Sequence, residues 1–260
     1  MELDHEIFAL PEFAPGSVWL VGAGPGAPGL LTVLALHALQ SADVVVYDAL
    51  VDERILRLAR AGAVLDYAGK RGGKPSPQQP DITLRLLRFA REGKRVLRLK
   101  GGDPFLFGRG GEEAAALAAA GIPCRVVPGV TAGIGGLAAA GIPATHRDTN
   151  SAIAFVTGYA SGGEVPDGID WAALARGAPV LVVYMALKHL DQIAQHLIAA
   201  GRAPDEPVAI ISKATMAGQR VLTTSLARAA ADARAAAIEP PAIVAIGPVV
   251  ALAPKLNLLT

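Results

Sequence analysis

Arg98-Leu-Lys-Gly-Gly-Asp-Pro-Phe-Leu-Phe-Gly-Arg-Gly-Gly-Glu-Glu113 is the stretch from which the rest of the chain is read. Leading into it, Arg95-Val-Leu-Arg-Leu-Lys100 is an apolar run with basic ends and is expected as a buried strand. The run stops at Gly101-Gly102, and a helical pattern resumes at Glu112. Two glycines at a strand's C-terminal end let a ligand approach the backbone with no Cβ in the way. In open α/β sheets that end is where ligands bind. Asp103 then offers a carboxylate at the crevice, and Pro104 sets the turn that follows. Arg109, between Gly108 and Gly110-Gly111, sits where a mobile or tightly turned loop presents it. A plain strand-to-helix connection accounts for Glu112 and Glu113 near the positive helix end. It leaves five glycines, an Asp and an Arg unexplained together.

The whole-chain numbers set bounds. At 260 residues the chain makes one large domain or two small ones, either of which can bury a sizeable core. Apolar residues are 52% and aromatics only 5%, so the core is built from Ala, Val, Leu and Ile, which suits parallel α/β layers. A formal charge of +1 argues against a broad nucleic-acid surface. The single cysteine, Cys124, excludes an internal disulfide and is expected as a small core residue. The acidic start MELDHEIFALPEF has no basic leader before an apolar run, and no uncharged apolar run is long enough to span a membrane. The expectation is a soluble, cytoplasmic protein with no membrane partner.

In chain order, Ser17 to Ala23 reads as a first buried strand running into Gly24-Pro-Gly-Ala-Pro-Gly29 and a helix from Leu30 to Gln40. The glycines formally match G-x-G-x-x-G, the fingerprint that binds dinucleotides through N–H groups at a helix start. Pro25 and Pro28 remove two of those donors, so a dinucleotide, another nucleoside-type ligand and a structural turn all stay open. Asp43 to Asp48 is a second strand ending in an acid at the ligand edge; Asp48 is a ribose partner, a substrate-site residue or a helix cap. A helix from Asp52 through Ala61 and a weaker strand, Val64 to Tyr67, follow. Lys70, Arg71 and Lys74 are either surface cations or a clamp for an anionic substrate. Ile82, Leu86 and Phe89 mark a helix with a basic outer face. After the focal loop come a helix to Ala120, a strand Pro123 to Val127 and a helix from Ala132, for which Thr131 is a candidate N-cap. Gly141 to Asn150 breaks the alternation, so the domains are expected as 1–145 and 146–260. Strands are expected at 153–157, 180–184, 207–212, 220–224 and 242–246, with helices between and a mixed sheet. His189 and His196 share a helix face without a third ligand, so no metal is expected.

Taken together, Val21 to Thr32, the focal stretch, Val127-Pro-Gly-Val-Thr131 and Gly141-Ile-Pro-Ala-Thr-His-Arg147 resemble the tetrapyrrole methylase family, over about Val18 to Gly247. The resemblance implies two α/β domains with S-adenosylmethionine in the cleft between them, in a homodimer. It implies two successive methylations of uroporphyrinogen III, at C-2 and C-7, giving precorrin-2 for cobalamin or sirohaem, with S-adenosylhomocysteine as by-product. It places cofactor contacts at Pro25, Gly101, Gly102, Asp103, Leu106, Thr131, Ala132 and Met185, with Ala214 and Ala242 as further ones. Asp48, Arg109, Glu112, Arg147 and Tyr184 match positions tied to tetrapyrrole binding or catalysis, and Tyr184 is also expected among the cofactor contacts.

The chemistry fits those residue types. A substrate carrying eight carboxylates needs fixed cations, and arginine pairs carboxylate bidentately. A sulfonium methyl needs no metal to be electrophilic, so alignment is the main demand. Methylation leaves a cationic tetrapyrrole that must lose a proton, and Glu112, held by Arg109, is expected to accept or relay it, with Arg147 fixing acetate or propionate arms. The proline-rich loop 74–81 departs from the family, which commonly has a His near Pro75 and an Asn near Thr83. The length leaves no room for the dehydrogenase–chelatase domain some relatives carry, so the chain is expected to stop at precorrin-2. The rivals are a dinucleotide-dependent oxidoreductase, a related methylase for a later precorrin, a protein histidine or ribosomal RNA, and a non-enzymatic binding module.

Overall fold

The computed structural model describes residues 5–69, 79–160 and 163–256. Lys70, Arg71, Lys74 and the start of the proline-rich loop lie outside the described residues. The chain divides into two compact units, Met1–Thr131 and Ala132–Thr260.

The first unit holds α1 (His5–Phe8), β1 (Val18–Gly22), α2 (Val33–Ser41), β2 (Val44–Tyr47), α3 (Glu53–Leu56), β3 (Val64–Tyr67), α4 (Gln79–Arg91), β4 (Val96–Lys100), α5 (Gly110–Ala119) and β5 (Cys124–Val127). Its strands form one parallel sheet in the order β3-β2-β4-β1-β5. β1 and β4 read as unbroken runs because both faces are covered; every residue of either strand is buried. Trp19, Val21, Leu97 and Leu99 pack with Leu39 and Ile55 on one face, while Val18, Leu20 and Val96 pack with Leu86 and Leu117 on the other. Helix starts are set locally: the Thr32 hydroxyl accepts from Ala35 N–H and the Asp52 carboxylate from Arg54 N–H. Pro28 opens a single 3-10 turn, Pro28–Leu30, where a helix was expected to begin at Leu30. The helix after Asp52 stops at Leu56 instead of reaching Ala61.

The second unit holds α6 (Ala132–Ala139), β6 (Ala154–Thr157), α7 (Trp171–Gly177), β7 (Leu181–Tyr184), α8 (Leu190–Ala199), β8 (Pro207–Ser212), β9 (Arg220–Ser225), α9 (Ala229–Ala235), β10 (Ala242–Ile246) and α10 (Ala253–Leu256). Its sheet runs β6-β7-β10-β8-β9, with only β6 and β7 parallel, so it is mixed as expected. Leu181, Val183, Val208 and Ile210 face Leu190, Ile193 and Leu197, whereas Val182, Ala209 and Ile211 face the layer that contains Leu137 of α6. That packing assigns α6 to the second unit. The division therefore falls between Thr131 and Ala132, where the polar turn had pointed to 145/146. The polar turn lies within the second unit, closed by the His146–Asn150 bridge, and Asn150 is buried with its amide donating to Ala144 and Ala152 carbonyls.

Cys124 is exposed rather than a core residue, because β5 is an edge strand whose first two residues are left uncovered. Its thiol is nonetheless pushed up to about 11, first by partial desolvation and then by the charge of Glu113. Its alkylation by iodoacetamide at pH 8 is expected to be about a hundredfold slower in the native protein than in denaturant, where the thiol returns to its ordinary range. Equal rates in the two states would show that nothing suppresses the thiolate.

No helix among the described residues is long and apolar enough to cross a membrane.

Candidate functional site

The C-terminal ends of β4, β1 and β5 meet in a seam of backbone. Gly102 N–H donates to Gly24 C=O at 2.7 Å and Gly24 N–H donates back at 3.2 Å, beyond the ends of their strands. A Cβ on Gly22 would lie 2.5 Å from Gly102 O and 2.6 Å from the Gly129 N and Cα. A Cβ on Gly101 would lie 2.6 Å from the Leu50 Cβ. Glycine at 22, 101 and 129 is thus demanded by chain packing against chain, and at 102 by a φ of +67°. On the side where a side chain at 101 would project, the space is taken by Leu50.

Asp103 is part of the same seam. One carboxylate oxygen accepts from Phe105 N–H at 2.8 Å and the other from Gly129 N–H at 3.0 Å. The side chain pins the loop leaving β4 to the loop leaving β5. Each oxygen keeps a further lone pair, so pinning does not exclude a ligand contact.

Beyond Pro104 the loop turns into α5 through Arg109, whose φ is +59°, with Phe107 at +54°. Arg109 Nε and Nη2 donate to the two oxygens of Glu112 at 3.0 and 2.6 Å, a bidentate pair open to solvent. The guanidinium holds the Glu112 carboxyl below its ordinary range, and Glu112 in turn holds Arg109 above its own. The structure therefore brings these two together as expected, and weakens Glu112 as a base.

Beneath this surface lies an ionic layer that sequence reading missed. Arg98 and Lys100 alternate onto one face of β4, and both side chains are buried. Arg98 Nε donates to Glu113 at 3.1 Å, Nη2 to Asp48 at 3.3 Å, and Nη1 to the Leu99 and Val46 carbonyls at 3.0 and 3.3 Å. The Lys100 ammonium sits 3.2 Å from the other oxygen of Glu113, a residue with no solvent exposure. Burial, and then the neighbouring Arg98 charge, push the Lys100 amine down. Asp48 closes the chain of charges at the exit of β2, where its second oxygen accepts from Leu50 N–H. It does not cap α3; Asp52 does. The signal in the sequence was the period-two spacing of two cations inside an otherwise apolar strand, since buried cations require carboxylates.

In the second unit, the Tyr184 hydroxyl accepts from Gly133 N–H at 2.7 Å, tying β7 to the first turn of α6 that Ala132 begins. Met185 follows with φ +55° and is 47% exposed. Ala214 is buried between Lys213 and Thr215, which have φ of +49° and +63°. Ala242 opens β10, and Arg147 is exposed in the 146–150 turn and makes no ion pair among the described residues. Positive φ at non-glycine residues costs of order 1–3 kcal/mol each and concentrates where function imposes it. Phe107, Arg109, Met185, Lys213 and Thr215 are five of the seven such residues described, and each is, or adjoins, an expected site position. Pro25, Leu106 and Thr131 are half-buried at the ends of the first unit's strands or in the loop after β4. His189 and His196 do not share a helix: His189 precedes α8 and contacts the Gly163 carbonyl, while His196 stacks on Trp171. Among the described residues no group of three or more His, Cys, Asp or Glu is gathered to hold a metal ion.

Residues 17–230 match the Tetrapyrrole (Corrin/Porphyrin) Methylases. The chain belongs to this family. Among relatives, it is 62% identical to a uroporphyrinogen-III C-methyltransferase from Sinorhizobium sp over 98% of this chain and 91% of that one. It is 48% identical to the siroheme synthase of Sodalis glossinidius, but covers only 53% of that protein. The chain thus spans about half the length of the siroheme synthases it matches. A uroporphyrin-III C-methyltransferase from Thermus thermophilus, solved with S-adenosylhomocysteine, superposes with a TM-score of 0.79 at 42% identity, covering 91% of this chain and 99% of that one. A cobalt precorrin-4 methyltransferase superposes with a TM-score of 0.81 at 26% identity, over 93% of this chain and 98% of that one. Of the expected site positions, Asp48 is in contact with the buried group of Arg98, Lys100 and Glu113, through Arg98.

Proposed function

We propose that the chain transfers two methyl groups from S-adenosylmethionine to uroporphyrinogen III, at C-2 and C-7, giving precorrin-2 for sirohaem or cobalamin. What carries the reading is 62% identity, over nearly the whole chain, to a relative named for that reaction. The donor set fits the cofactor. The strand-end edge of the first unit offers apolar contacts from Pro25 and Leu106, backbone at Gly101, Gly102 and Thr131, and the carboxylate of Asp103 beside them. Such a mixture suits a ligand that is part apolar, part polar and cationic at sulfur. Ala132, Tyr184, Met185, Ala214 and Ala242 are the second unit's proposed share of the contacts. When bound, the cofactor supplies an electrophilic methyl group, and no metal is needed for that. Arg109 and Arg147 meet the substrate's carboxylates; Asp48, fixed by Arg98 and Leu50 N–H, meets the substrate's polar rim.

Glu112 takes or relays the proton that the methylated ring loses. Because Arg109 lowers its carboxyl, it is ionised throughout the neutral range and acts as a weak, fully available acceptor. Glu112→Gln is expected to lower kcat about tenfold or more with substrate affinity unchanged. Full turnover in that variant would leave the pair as a charge-matched scaffold. The reading includes a homodimer in the cytoplasm, the first part of which light scattering of the purified protein tests directly.

The experiment for the reaction is mass spectrometry of the product after mixing the purified protein, S-adenosylmethionine and anaerobic uroporphyrinogen III. Two added methyl groups are expected. Binding of S-adenosylhomocysteine with no methylated tetrapyrrole would overturn the substrate and direct attention to later precorrins.

A further inference from the structure

We propose that Glu113 is a positioning residue, acting through Arg98 to hold the Asp48 carboxylate in its place at the exit of β2. The inference rests on the uroporphyrinogen-methylating reading, in which Asp48 meets substrate. Glu113 cannot touch a ligand, since none of it is exposed. It can reach the site only through what it holds. Arg98 spends Nε on Glu113, Nη1 on two backbone carbonyls and Nη2 on Asp48, so its planar fork has one orientation in which every contact is met. Remove the Glu113 acceptor and Nε loses the contact that fixes the tilt of the plane. The Nη2–Asp48 contact, already 3.3 Å long, is then free to lengthen.

Stability alone does not call for this layer. Buried ion pairs commonly stabilise no better than apolar residues of the same volume. Here the arrangement draws in a fourth charge, Lys100, which with Arg98 balances Glu113 and Asp48. An apolar layer would serve packing; it could not direct a donor at Asp48. Glu113 also follows Glu112 in the first turn of α5, so the same anchor seats the helix start that carries the Arg109–Glu112 pair.

The test compares variants with equal charge balance, because Glu113→Gln alone leaves two buried cations facing one carboxylate. In K100M/E113Q the amide oxygen still accepts from Arg98 Nε; in K100M/E113L that acceptor is gone with little change in volume. Both are measured for kcat and KM with uroporphyrinogen III, for S-adenosylhomocysteine affinity and for melting temperature, in wild-type and Asp48→Asn backgrounds. K100M/E113Q is expected to keep kcat within about threefold of the wild type, and K100M/E113L to lose about tenfold or more, with cofactor affinity unchanged in both. In the Asp48→Asn background the gap between the two should vanish. Equal kcat for the two pairs, or a gap that persists without Asp48, overturns the proposal and leaves Glu113 a charge-balancing core residue. Should K100M/E113L not fold, R98M/E113Q replaces it: it is equally balanced, lacks the contact to Asp48 altogether, and is expected to lose at least as much. A wild type that does not methylate uroporphyrinogen III at all removes the underlying reading, and is told apart from either variant result.

Discussion

Gly22→Ala is expected to destabilise the first unit by about 3 kcal/mol or more and to lower its melting temperature by roughly 10 °C. The added Cβ would sit 2.5 Å from the Gly102 carbonyl oxygen and 2.6 Å from Gly129 backbone, where no flexible side chain can swing aside. Relief would require parting the ends of β1, β4 and β5. Gly102 is held there by its two hydrogen bonds to Gly24, and Gly129 by the Asp103 carboxylate, so the parting breaks those as well. Overpacking usually costs 1–3 kcal/mol, and a backbone–backbone collision stands at the upper end of that range. Gly111→Ala is the matched control: a Cβ there meets nothing within 4 Å, and alanine suits a helix better than glycine. Differential scanning calorimetry of the two variants reads the contrast. A Gly22→Ala protein that melts within about 2 °C of the wild type would show that the seam opens freely.

The second large effect is at Asp103. Asp103→Ala removes both acceptors that join the loop after β4 to the loop after β5, at 2.8 and 3.0 Å. Hydrogen bonds to a charged group are worth about 1.5–3 kcal/mol, and two backbone N–H groups lose their partner together. The consequence for catalysis exceeds that for folding, because Pro104 to Arg109 hang from this anchor and a displacement of about 1 Å can cost a hundredfold in rate. We expect kcat/KM for methyl transfer to fall about a hundredfold or more, with S-adenosylhomocysteine binding weakened in parallel. Asp103→Asn should lose nearly as much. The amide has one acceptor oxygen where two are used, and its NH2 would face an N–H donor. Isothermal titration with S-adenosylhomocysteine, well below the melting temperature, separates the two roles: unchanged affinity with reduced turnover assigns Asp103 to the loop alone. A variant that retains both within about threefold would leave Asp103 with neither role.

Asp103 stood out in the sequence, although its task did not, whereas Gly22 read as part of a buried strand. The Gly-Gly-Asp run stood out by composition and by its place at the end of an apolar strand. Its reading as open backbone beside a ligand was a statement about nearest neighbours in space, and these come from β1, β5 and Leu50, dozens of positions away in the chain. The bidentate Arg109–Glu112 pair was legible because residues three apart at the start of a helix are close neighbours along the chain. Arg98 with Glu113 was not, since β4 and α5 must first be packed before a strand cation and a helix carboxylate meet. Cys124 failed for the complementary reason: an apolar run says that a strand exists, and only strand order says that β5 lies at an edge.

The sequence by itself determined the two α/β units, nearly all of the strands, the mixed character of the second sheet and the family, because these follow from local periodicity, turn residues and contiguous motifs. The tertiary structure alone decided that α6 joins the second unit, that four glycines serve a backbone seam and that Asp103 is an anchor. It also decided that three buried charges, Arg98, Lys100 and Glu113, join the partly exposed Asp48. Those are outcomes of long-range packing and of the desolvation that packing imposes; the spacing of Arg98 and Lys100 signals two buried cations, but not which carboxylates meet them.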